Sequence, residues 1–210
     1  MVVICNANDI KQFSQCKSAK ITPVRGQINF FTENEVSKNL KAIVCSDHFI
    51  TPAVAGLHTI GTSYAPHDLN PTLSEADTHA NLQALRKIAP ELFASVKNVS
   101  ENTYGRVAWR SQTLDYMPLA GQLLDENALG KNPPRYNANS ADLPWLSGLY
   151  VNAGHGSKGM ISAPICGELI ACLATNSTLN LKAKLASKLN PSRILLRELG
   201  LKQLSQTLHR

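Results

Sequence analysis

Aromatic residues make up only 6% of the 210 in this chain and charged residues only 17%, while 43% are hydrophobic. That balance excludes a disordered polyelectrolyte, which needs high charge and few apolar side chains. Glycine (12) and proline (11) are too few for collagen or a low-complexity segment, though they suffice for many turns. The five cysteines, at positions 5, 16, 45, 166 and 172, form no C-x-x-C pair and leave one unmatched. This argues against a disulfide framework and against zinc, and for reduced thiols in a cytosol. Long hydrophobic runs are lacking too. The longest, residues 160–174, contains Glu168 and reads as too short to span a bilayer, and the first residues lack the basic flank of a signal peptide. A cytoplasmic protein of one large domain or two small ones, with no membrane partner and no metal, is expected.

Charge of one sign is absent from most of the chain. Residues 1–181 hold 14 Lys/Arg against 14 Asp/Glu, so the net charge of +6 lies entirely in residues 182–210. There Lys182, Lys184, Lys188, Arg193, Arg197, Lys202 and Arg210 face Glu198 alone. A basic segment on a neutral body points to a polyanion, nucleic acid before membrane, or else to a solvated helical face.

Residues 2–6 read as a buried strand that starts at the first residue, so the N-terminus is expected to be cut. Residues 9–15 form a short polar helix, residues 21–31, 41–50 and 57–63 a meander of strands, and residues 51–56 a turn. Ser74 is an N-cap with Asp77 three residues on, and Leu82, Leu85 and Ala89 make the buried face of a helix that Pro90 ends. Residues 105–110 and 149–153 are strands, and a helix runs from about 160 to 175. The expected fold class is α/β (α+β): an incomplete Rossmann-like layer from residues 1–20 and 140–176, an inserted antiparallel-sheet domain at 21–139, and a basic helical tail at 177–210. In that tail Leu185, Leu189, Leu195, Leu196 and Leu199 are expected to pack on the body while Lys184, Lys188, Arg193 and Arg197 face outward.

Gly154-His155-Gly156-Ser157-Lys158-Gly159 satisfies G-x-G-x-x-G between a strand and a helix. Glycine admits close backbone approach, and the helix that follows aims the positive end of its dipole at the approaching ligand. A nicotinamide dinucleotide site would need a second strand ending in Asp or Glu about 20 residues on. The chain offers no acid between Glu168 and Glu198, so the loop reads as serving another ligand or only tight packing. Cys45, His48 and His58 lack the spacing of metal ligands.

Residues 148–171, together with 23–27 (Pro-Val-Arg-Gly-Gln), 51–53 with 61–64, and 105–121, resemble in order the FAD-dependent amine oxidases related to glycine oxidase and D-amino-acid oxidase. Within that family the nearest likeness is to the oxidoreductase module of bifunctional enzymes that make methylaminomethyl-thiouridine in tRNA, supported by Leu-Asn-Pro-Ser-Arg at 189–193. The resemblance implies an FAD layer, a substrate domain, and a loop of Gly154, His155, Gly156, Ser157, Lys158, Gly159 and Met160 along the isoalloxazine. It implies that Arg110 holds the substrate carboxylate, and it makes Arg25 and Gln27 further candidates, with Asp115, Pro118 and Gly121 in a structural turn. Oxidative loss of a carboxymethyl group as glyoxylate, with tRNA as partner, is the activity implied. Family members begin with a glycine loop for the ADP half of FAD and, in the bifunctional enzymes, carry a methyltransferase. Neither precedes Val2 here, so a catalytically inactive remnant, and a small amino-acid oxidase, stay open beside the tRNA reading.

Overall fold

The computed structural model describes residues 1–95, 104–135, 138–178, 181–201 and 203–204. In chain order the strands and helices are β1 (Val2–Ile4), β2 (Ile21–Thr32), β3 (Val44–Cys45), β4 (Phe49–Ile50), β5 (Leu57–Gly61), β6 (Ala65–Pro66), α1 (Glu75–Ile88), α2 (Pro90–Ser95), β7 (Tyr104–Thr113), β8 (Leu119–Leu124), α3 (Glu126–Lys131), β9 (Trp145–Ala153), α4 (Gly159–Thr175), α5 (Ala183–Lys188) and α6 (Arg193–Glu198). They fall into two compact units, one of Met1–Pro23 with Arg110–Arg210, the other of Val24–Trp109.

The first unit is built on a sheet ordered β1-β9-β8. β1 lies parallel to β9, with Val3 opposite Tyr150 and Ile4 opposite Val151. β8 lies antiparallel to β9, pairing Leu119 with Ala153 and Ala120 with Asn152. Strand side chains alternate between faces, so one side of the sheet collects Ile4, Leu119, Leu123, Val151 and Ala153 over Ile10, Cys16 and Ile21. The other side sets Ala120 and Tyr150 against Cys166, Leu169 and Ile170 of α4 and Ala186 and Leu189 of the α5 segment. Both faces are covered, which explains why β8 is apolar almost throughout. Residues 110–139, expected in the inserted domain, belong to this unit because β8 completes its sheet.

The described part of residues 177–210 is not an appended tail. Leu196, Leu201 and Leu204 join Leu124, Leu129 and Leu143 in a third cluster, so the segment belongs to the core of the unit. Asn190-Pro191 separates α5 from α6 and resets the helical phase. Leu185 and Leu199 therefore stay exposed, while Ala186 and Ile194 are buried. Lys184, Lys188 and Arg197 are exposed as expected, Arg193 is fully buried, and Lys202 and Arg210 lie outside the described residues. With the 3₁₀ turn before it, α4 makes a 20-residue helix, Gly156–Thr175, which is long and apolar enough to cross a membrane by length and composition. The apolar run alone understated this length. The helix packs Cys166, Leu169 and Ile170 against the sheet.

The second unit orders β3-β4-β5-β2-β6, with β7 also pairing β2. Residues 41–50, expected as one strand, form only the β3–β4 hairpin, because polar Ser46, Asp47 and His48 make its turn. Phe31, Ile50 and Ile60 pack against Leu85 of α1. Ser74 caps α1, its Oγ accepting from the Asp77 N–H at 3.2 Å, and Pro90 both stops that helix and starts α2.

Candidate functional site

β9 runs out at Ala153, and the chain turns sharply at Gly154 (φ +74°) and Gly156 (φ +57°) before a 3₁₀ turn, Gly156–Lys158, leads into α4. Left-handed φ is what admits glycine here. The two glycines differ in their surroundings. A Cβ on Gly154 would stand 2.7 Å from Cγ2 of Thr113, whereas one on Gly156 would meet nothing nearer than Gln112 Oε1 at 3.6 Å. Gly154 is thus closely packed, whereas Gly156 stands at ordinary contact distance from its neighbour. Ser157, Lys158 and Met160 are exposed, Met160 at 94%, as is Ile161. The 3₁₀ turn ties the Lys158 N–H to the His155 carbonyl at 3.2 Å, and this exposed start presents the positive end of the helix dipole.

His155 lies inside the loop. Burial lowers the pKa of its imidazole, which is therefore neutral at pH 7 and carries one N–H. Nε2 lies 3.0 Å from Asn152 Oδ1, and Nδ1 lies 2.9 Å from the Ser162 Oγ, whose hydroxyl donates to the Lys158 carbonyl at 3.0 Å. Both ring nitrogens are committed within the protein.

β7 backs this loop. Gln112 forms a backbone bridge with His155, and its side chain lies along Gly156. Arg110 is two residues earlier on the same face of β7, about 7 Å along the strand. It is half-buried, with one terminal guanidinium nitrogen out of contact with solvent. Sequence reasoning missed Gln112, Thr113, Asn152 and Ser162. The i, i+2 spacing of Gln112 from Arg110 is the one signal it held for any of them.

The remaining candidates have other occupations. Arg25 is buried and donates to the carbonyls of Asn70 (2.8 Å) and Thr72 (2.6 Å), to Gln27 and to Asp77. Gln27 accepts from the Ser74 N–H at 2.8 Å and donates to Ser74 O and Thr78 Oγ1. Both residues hold the start of α1, a structural use that engages every guanidinium nitrogen of Arg25 and both polar atoms of the Gln27 amide. His58 is a core histidine whose Nδ1 meets Thr51 O and whose Nε2 meets Ser37 Oγ, each at 2.9 Å, with the ring stacked on Phe31. Among the described residues no three His, Cys, Asp or Glu side chains gather as metal ligands. Burial pushes the Cys16 and Cys166 thiols up to about 11, which removes both as nucleophiles at neutral pH. Asp115, read as a turn residue, is also an ion-pair partner. Arg193 binds it at 2.7 Å, and Arg197 approaches at 3.7 Å.

Residues 2–173 match the model of a family described as FAD dependent oxidoreductase. The tRNA 5-methylaminomethyl-2-thiouridine biosynthesis bifunctional proteins MnmC of Methylobacillus flagellatus and Pseudomonas savastanoi pv. phaseolicola are 38% and 39% identical over 97% and 95% of this chain. The chain spans 31% of the length of each. Among solved structures, glycine oxidase from Bacillus cereus superposes with a TM-score of 0.61 at 21% identity, covering 86% of this chain and 44% of that one. L-proline dehydrogenase from P. horikoshii does so with 0.66 at 17%, covering 95% and 47%. These two establish the fold, and the match over residues 2–173 carries the rest: the chain belongs to the FAD-dependent oxidoreductase family.

Proposed function

We propose that this chain carries the substrate arginine and the flavin-facing loop of an oxidase that removes a carboxymethyl group, as glyoxylate, from a modified wobble uridine of tRNA. The observation that carries the reading is the loop from Gly154 to Met160, uncrowded at Gly156 and exposed at the start of α4. These residues fit a flavin ring: at Gly156 a Cβ would meet only the Gln112 side chain, at ordinary contact distance, and the helix dipole and Lys158 favour negative charge there. When bound, FAD supplies the two-electron acceptor for the carbon–nitrogen bond, after which water splits the substrate imine and glyoxylate leaves. Arg110 orients the substrate. Its planar guanidinium takes the carboxylate of the carboxymethylamino group in two parallel hydrogen bonds, on the strand face whose Gln112 borders Gly156.

The test is to incubate the chain with FAD and tRNA bearing the carboxymethylaminomethyl base, and to assay glyoxylate and the base. Glyoxylate from free glycine or sarcosine but not from tRNA would identify an amino-acid oxidase, and none from either would identify an inactive remnant. Arg110→Lys is expected to reduce turnover at least about tenfold while leaving FAD affinity within about twofold, because the charge remains and the bidentate geometry is lost. Gly156→Val should do the reverse and lower flavin content first. Equal losses of turnover and flavin in both variants would refute the division of roles.

For tRNA, the exposed Lys182, Lys184, Lys188 and Arg197 supply the cationic surface. Each cation that meets a phosphate releases counterions, at a log–log salt slope of about −0.9 on duplex and about −0.7 on single strands. Replacing Lys184, Lys188 and Arg197 by Gln is expected to flatten the salt dependence of tRNA binding by about two to three slope units. Arg193 is left out because it is buried. Filter-binding titrations across salt check this, and an unchanged slope would return the segment to an ordinary solvated face.

A further inference from the structure

We propose that Arg193, although remote in sequence from the glycine loop, is a positioning residue for residues 154–160 and acts on them through the turn between β7 and β8. The loop's bearing on flavin rests on the reading above; the mechanical link does not.

Arg193 is 0% exposed, and its hydrogen bonds match the full donor capacity of a guanidinium. Nε and one terminal nitrogen grip the Asp115 carboxylate at 2.9 and 2.7 Å in a fork. The same terminal nitrogen also donates to the Met117 carbonyl, and the other donates to the carbonyls of Pro118 (3.0 Å) and Asn190 (3.1 Å). Four of these five bonds end on residues 115–118. One side chain from the start of α6 therefore holds a whole turn by its carboxylate and by two successive carbonyls.

That turn is the foundation of the loop. Asp115 Oδ1 accepts from the Met117 N–H at 3.2 Å, and Thr113 Oγ1 donates to the Met117 carbonyl at 2.7 Å, which fixes the Thr113 rotamer. Fixing it places Cγ2 against Gly154, where a Cβ would have only 2.7 Å. On one side of the turn Gln112 bridges to His155, and on the other Leu119 pairs with Ala153, the residue from which the loop departs. Tyr116, inside the turn, has φ +61°, a conformation that a bulky side chain does not adopt unaided. The clamp keeps the turn closed, and the closed turn holds both ends of the segment from Ala153 to His155.

Amide hydrogen exchange in the full chain without FAD tests the link. Arg193→Lys keeps the charge but reduces five fixed donors to a point charge, and Asp115→Asn keeps the shape but removes the ionic fork. In each variant, exchange at residues 154–158 is expected to rise at least about tenfold while β1, the C-terminal half of α4 and β5 keep their wild-type protection. Loop exchange at the wild-type rate would overturn the proposal. So would loss of protection spread evenly over β1, β8 and β9, or global unfolding of both variants, since either makes Arg193 a general core residue. With FAD added, Arg193→Lys should weaken binding about tenfold, and unchanged affinity in a variant with a loosened loop would also overturn it. If wild-type chain takes up no FAD while the exchange pattern holds, the flavin reading fails and the mechanical link stands.

Discussion

Gly154→Ala is expected to destabilise the first unit by about 2–4 kcal/mol, while Gly156→Ala costs about 1–2 kcal/mol. Both glycines sit at left-handed φ, +74° and +57°, so both variants bear the backbone strain. Only at Gly154 does the new methyl also run into Thr113 Cγ2, at 2.7 Å, and Thr113 is buried with its hydroxyl tied to Met117 O. Rotation away would break that bond. Adding Thr113→Ser removes the methyl and keeps the hydroxyl, so the double variant should recover the difference between the two single ones. Urea unfolding of the four proteins measures it. Equal destabilisation at the two glycines, or no recovery in the double variant, would mean that the close approach to Thr113 is not what selects glycine at 154.

Arg193→Met is expected to cost about 3 kcal/mol at neutral pH. The figure is the low end for a broken buried pair because the Asp115 side chain keeps 29% of its exposure. The variant leaves the Asp115 carboxylate with only the more distant Arg197 at 3.7 Å, and removes the guanidinium donors of the Met117, Pro118 and Asn190 carbonyls. The pH dependence gives a second reading. Burial by itself would raise the Asp115 pKa, but the hydrogen bonds and charge of Arg193, with the Met117 N–H, outweigh it and hold the carboxyl below its ordinary value. A folded pKa below the unfolded one adds stability that is present above the unfolded value and is lost as pH falls through the folded one. The wild type should therefore lose this contribution below about pH 4, and the gap between wild type and variant should narrow over the same range. A gap constant from pH 7 to pH 3 would show that lost packing, and not the ion pair, sets the penalty.

The reach of sequence reading here can be followed residue by residue. The strand, glycine loop and helix of residues 149–175 were legible because they are local: an apolar run, glycines where the chain must reverse, then helical periodicity. The Ser74 cap was legible for the same reason, its acceptor and donor being three residues apart. Misreadings came where the partner is distant. Arg193 looked like one more cation on a basic helix, because the Asp115 that buries it stands 78 positions earlier. Arg25 and Gln27 were candidates because they stand in a segment that resembles the family, yet Ser74, Asn70 and Asp77 absorb them.

By itself, the sequence determined the mixed α/β class, the placing of the first and last strand regions in one layer, the glycine turn before α4, and the family, since each depends on short-range pattern or on motif order. Only the tertiary structure decided that β8 completes the sheet of the first unit, that residues 182–204 contribute to its core, and which of the basic residues there are buried. The physical reason is that burial of a charge is decided by its counter-charge. A lone guanidinium would stay in water, and only the fold, by setting Asp115 and three carbonyls around Arg193, makes the interior favourable for it.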